Sequence, residues 1–131
     1  MKKGTRAALE SVKRKTVAID LPEIDASFTL REMSGTERDR FEDGTFSEVD
    51  GKRVVNTVYL RARLVALCLI DEAGARLYAD NEIEQLSDAV PASVLHKLFD
   101  AAQKLNGLDQ TAVESAAKNS GSAATGASAS A

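Results

Sequence analysis

The chain has 131 residues, 44% of them apolar, with no Trp, four Phe, two Tyr and one Cys. That length is one domain's worth of chain, a core built mostly from aliphatic side chains favours helices, and a single thiol excludes an internal disulfide framework. The formal net charge is −3 but unevenly placed: residues 1–15 hold a net +5 and the rest −8, and an acidic body argues against nucleic acid as the main partner.

In the basic arm, residues 1–15, only Ala7, Ala8, Leu9 and Val12 are apolar beyond the initial Met1, among six cationic side chains. The arm therefore reads as a frayed helix or a solvated leader. It lacks the apolar stretch and cleavage site of a signal peptide, and the longest uncharged apolar run, 64–70, is too short to span a bilayer. A soluble, cytoplasmic protein with no membrane partner is expected.

Two alternating stretches follow. Val17, Ile19 and Leu21 share one face at a period of two, as do Ala26, Phe28 and Leu30, and the residues from Pro22 to Asp25 between them have turn chemistry. The pattern predicts a hairpin over 16–33. Ser34 and Glu37 have capping-box spacing, which predicts a short helix to about Asp43. Two Asp-Gly pairs in 43–51 mark a loop or a second small hairpin.

The stretch "NTVYLRARLVALCLIDEAG" reads as one apolar helix, expected over 54–70 and ended by Gly74. On a helical wheel Val54, Val58, Arg61, Val65 and Cys68 share a side, and the other sides are also mostly apolar. A helix apolar all round must be surrounded, either as the central post of a small bundle or by another chain. Asp80 and Asn81 then cap a short segment through Val90. Pro91 opens the cleanest amphipathic helix, whose stripe is Val94, Leu95, Leu98, Phe99, Ala102 and Leu105, with Asn106 and Gly107 as its stop. Beyond Leu108, residues 109–131 read as a short helix capped by Asp109 and then a flexible Gly/Ser/Ala tail. The expected fold is mainly α: an N-terminal β-hairpin packed on a small bundle of about four helices, over residues 16–108.

Nothing in this pattern carries catalysis. His96 lies off the apolar stripe of its helix, Cys68 sits among Leu67, Leu69 and Ile70 as a buried inert thiol, and one His and one Cys make no zinc site. No phosphate loop or nucleophile elbow occurs, so no enzyme, metal or cofactor is expected. The two arginines of the apolar helix are more informative. A charge in the Val54–Val58–Val65 arc must snorkel out or meet a carboxylate, with Glu82 or Glu84 as candidates for Arg61, unless Arg61 or Arg63 anchors a partner. The candidate partner-binding or self-association residues are Tyr59, Leu60, Arg61, Arg63 and Leu67 on that helix. On the amphipathic helix they are Val94, Leu98 and Phe99.

A basic leader, "VAIDLPE", "FTLREMSGTERDRFE", "YLRARLVALCLIDEAGARLYADNEIEQL" and "PASVLHKLFDAAQKLNGL", in this order over roughly residues 13–108, resemble the tail assembly chaperones of long-tailed bacteriophages. The resemblance implies a small helical protein of the host cytoplasm, absent from the mature virion. It would bind the tape measure protein and keep it soluble until tail tube subunits assemble around it. It also implies a longer form made by ribosomal frameshifting, which recruits the tail tube protein; this chain looks like the short form. Ala117, Lys118 and Asn119 are where codons could carry the slippery run of adenines. Self-association into a homo-oligomer would cover apolar helical surface when the client is absent. The competing readings are a small regulatory or nucleic-acid-binding protein, with a basic arm and a helical dimerisation core, and a structural tail or head-completion subunit.

Overall fold

The computed structural model describes residues 1–108; the expected Asp109-capped helix, the tail and the 117–119 site lie outside the described residues. The elements run α1 (Arg6–Glu10), β1 (Thr16–Leu21), β2 (Ala26–Arg31), α2 (Gly35–Thr45), β3 (Phe46–Val49), β4 (Lys52–Val55), α3 (Leu60–Cys68), β5 (Leu69–Ile70), α4 (Ile83–Ala89) and α5 (Ala92–Leu105). With five α-helices and two small sheets among the described residues, the fold is mixed α/β rather than mainly α.

The first hairpin forms as its alternation dictates. β1 and β2 pair antiparallel from Thr16↔Arg31 to Leu21↔Ala26, and a 3-10 turn over Pro22–Ile24 ends on Asp25 at φ 50°. α2 carries the full capping box: Glu37 N donates to Ser34 Oγ at 3.2 Å and Ser34 N donates to Glu37 Oε1 at 2.9 Å. α5 starts behind Pro91 and ends at Asn106, with Leu95, Leu98, Phe99 and Ala102 of the expected stripe buried.

The central apolar segment departs from expectation. A single helix over 54–70 does not form; α3 spans only Leu60–Cys68. At its start, Asp50 and Gly51 take φ of 53° and 77°, the left-handed angles of a tight hairpin turn. They pair Val54 with Ser47 and Val55 with Phe46 in a second hairpin. Tyr59, at φ 53°, then stands in a conformation that cannot continue a right-handed helix upstream. Val54 and Val58 are consequently exposed, and the arc that placed Arg61 beside them does not exist. At its end, Leu69 turns extended and Leu69 and Ile70 pair with Leu30 and Thr29, giving a sheet ordered β1-β2-β5. Gly74, at φ 87°, closes a turn after β5 rather than the helix, and Asp71 Oδ1 accepts from Ala73 N and Ala75 N at 2.9 Å each.

The reason for an all-round apolar helix survives the shortening. α3 contacts α2, α4, α5 and β2 of its own chain, and seven of its nine residues are buried, so it is the post around which the other elements pack. Leu64 and Val65 of α3, Leu30 of β2 and Phe99 of α5 are fully shielded; each such side chain contributes roughly 1.5–3 kcal/mol on burial. Asn106 ties the end of α5 to this centre: its Oδ1 accepts from Met33 N at 2.7 Å, and its Nδ2 donates to Ala102 O at 2.7 Å and lies 3.4 Å from Cys68 Sγ.

Candidate functional site

Folding leaves apolar surface open beside the turn of the first hairpin. The 3-10 turn holds Ile24 in solvent at 62% exposure, and the segment after β5 holds Leu77 at 41%. Between them Leu21, Phe28, Leu86 and Val94 line an open groove of about 690 Å³. Four separate stretches build it: the hairpin, the segment after β5, α4 and the first turns of α5. Lys97 Nζ donates to Asp20 O at 2.8 Å and so clamps α5 to β1. The rim is acidic, with Glu23 on the turn and Glu82 ahead of α4, where Glu82 Oε1 accepts from Ala79 N at 2.8 Å. A concave aliphatic surface with a few charges at its edge suits the apolar face of a helix. It offers no nucleophile paired with a base.

The structure distributes the sequence-derived residues over three places. Val94 lines the groove, with the buried Leu98 beneath it. Tyr59, Leu60 and Arg61 border a second depression of about 540 Å³ with Ser87 and His96. Arg63 and Leu67 border a third, of about 350 Å³, beside Arg40 and Asp80. Leu60, Leu67, Leu98 and Phe99 are buried and fill the chain's own core, whereas Tyr59 and Arg61 are exposed.

Arg61 snorkels. Its guanidinium carbon lies 5.6 Å from the centre of the Phe99 ring, a cation–π contact rather than an ion pair with Glu82 or Glu84. Arg63 is a structural clip: Nε donates to Val58 O at 3.1 Å, Nη1 to Thr45 Oγ1 at 3.1 Å and Nη2 to Asn56 O at 2.6 Å. Desolvation lowers its pKa from the ordinary arginine value. Partial desolvation, then the charges of Glu84 and Asp88 and a hydrogen bond with Glu84, raises that of the Tyr59 phenol. Cys68 is buried and its thiol is pushed up to about 11, by desolvation first. His96 is exposed, with its ring tilted 6.3 Å from that of Phe99.

Sequence reasoning missed Leu21, Ile24, Phe28, Leu77 and Leu86 as groove residues. The available signal was Ile24, a large aliphatic side chain in a turn that otherwise needs only Pro and Asp. Among the described residues, no group of three or more His, Cys, Asp or Glu could hold a metal ion, and no helix is long and apolar enough to cross a membrane.

No protein-family model and no curated protein matches the chain. A solved structure does match: that of the bacteriophage HK97 tail assembly chaperone, at a TM-score of 0.53 and 19% sequence identity, covering 76% of this chain and 90% of that one. The chain therefore has the fold of a phage tail assembly chaperone.

Proposed function

We propose that this protein is a tail assembly chaperone of a long-tailed bacteriophage. It binds the tape measure protein, keeps it soluble in the host cytoplasm and releases it as tail tube subunits assemble around it, so that it is absent from the mature particle. A frameshifted longer form recruits the tail tube protein. The observation that carries this reading is the shared fold with the HK97 chaperone across nine-tenths of that chain. The open aliphatic groove supports it physically, because a soluble acidic body that presents such a groove can shield the apolar stripe of a long helical client.

The test is coexpression with the tape measure protein encoded in the same genome. The client should become soluble and copurify with the chain, and the complex should survive raised salt, since apolar contacts are little screened. An insoluble client, or a chain whose main affinity is for nucleic acid and falls steeply with salt, would overturn the proposal.

A further inference from the structure

We infer that the depression of about 540 Å³ beside Tyr59 is a second binding site, which takes a carboxylate carried on an aliphatic stem. Arg61 of α3, Ser87 of α4 and His96 of α5 line it, together with Leu60, Val90 and Leu95. Among the described residues, no hydrogen bond or ion pair engages any of these three polar side chains. Arg61 is the exception among the helical arginines. Arg6, Arg38 and Arg40 pair with carboxylates and Arg63 clips the backbone, whereas the guanidinium of Arg61 meets only the ring of Phe99. A guanidinium held against a ring keeps its N–H donors free, and their fork matches the two oxygens of a carboxylate.

The surroundings select among anions. Glu84, a carboxylate near enough to compete for the site, instead hydrogen-bonds the phenol of Tyr59. Glu84 and Asp88 both act on Tyr59 at the border of the depression, so the local field opposes a dianion such as phosphate more than a monoanion. Leu60 and Leu95 are buried and Val90 is half-buried, an apolar floor on which methylenes gain and a bare ion does not. One such contact is weak by itself, so it serves a carboxylate already held close: a glutamate side chain of a second protein beside the chain. The depression shares only Val90 with the groove, so this partner need not displace the groove's client. The inference goes beyond the proposed function and does not depend on it.

Hexanoate titrated into the isotope-labelled chain and followed by NMR tests it, with hexanamide and inorganic phosphate as comparators. Hexanoate should shift the resonances of Arg61, Ser87 and His96 along saturating curves, and both comparators should bind at least about tenfold more weakly. Arg61 is exposed, so Arg61→Gln should keep the amide spectrum of the folded chain while weakening hexanoate at least about tenfold. Arg61→Lys, which keeps the charge but not the fork, should recover only part of that loss. No saturating shift around Arg61, a comparator bound as tightly as hexanoate, or either variant binding like the wild type would each overturn the inference.

Discussion

Replacing Arg63 by Ala should loosen the junction between α2, the second hairpin and α3. Its guanidinium spans three acceptors, Val58 O, Thr45 Oγ1 and Asn56 O, at 3.1, 3.1 and 2.6 Å. Hydrogen bonds from a charged donor contribute about 1.5–3 kcal/mol each, but simple addition overstates the loss. Asn56 and Val58 are exposed, so water can replace the guanidinium at their carbonyls. Thr45 Oγ1 still donates to Phe41 O at 2.7 Å. The lowered pKa of Arg63 further shows that the charge is held against some desolvation. The net destabilisation should be about 2–3 kcal/mol, a fall in Tm of roughly 10–20 °C for a domain of this size. Arg63→Lys should recover no more than about half of it, because one ammonium cannot fork across three acceptors. Urea unfolding gives the magnitude, and amide exchange should show the hairpin over 46–55 opening first. A loss under about 0.5 kcal/mol, the range of an ordinary surface substitution, or a Lys variant as stable as the wild type, would refute the clip.

Gln103 is fully buried and neither its Nε2 nor its Oε1 has a hydrogen-bond partner among the described residues, so Gln103→Met should raise stability by about 1–2 kcal/mol in urea unfolding; a loss would mean that the amide is satisfied. Cys68 has its pKa raised to about 11 from 9.0, so its neutral form is favoured in the folded state. Its contribution is fully present below pH 9 and is lost as pH rises from 9 towards 11, because the unfolded thiol ionises first. Wild type should therefore lose up to about 1.4 kcal/mol per pH unit in that window relative to Cys68→Ala, and parallel curves would contradict the burial. Asn106→Ala removes the acceptor for Met33 N and the donor to Ala102 O, and should cost about 2 kcal/mol in thermal unfolding, with an unchanged Tm as the contrary result.

The first hairpin, α2 and α5 were legible because local chemistry and tertiary packing agree there. Alternation sets β1 and β2, Ser34 and Glu37 set the start of α2, and a clean stripe between Pro91 and Asn106 sets α5. The central segment was not, because an apolar run is as compatible with helix as with strand. The Asp50-Gly51 turn decides its first residues and pairing of Leu69 and Ile70 with β2 decides its last. The groove was harder still. Its surface comes from stretches distant in sequence, so of the residues singled out beforehand only Val94 and Leu98 line it. Arg61 and Arg63 look alike in sequence, and only the left-handed Tyr59 and the second hairpin explain why one lies over Phe99 while the other clips the backbone.

The central claim, that this fold presents its groove to a tape measure client, is tested most directly by hydrogen exchange on the purified chain with and without a soluble fragment of that client. The account predicts protection of amides around Leu21, Ile24, Leu77, Leu86 and Val94, with the depression beside Tyr59 and Arg61 unchanged. Protection confined to the Tyr59 and Arg61 side, or none in the groove while the fragment stays bound, would contradict it.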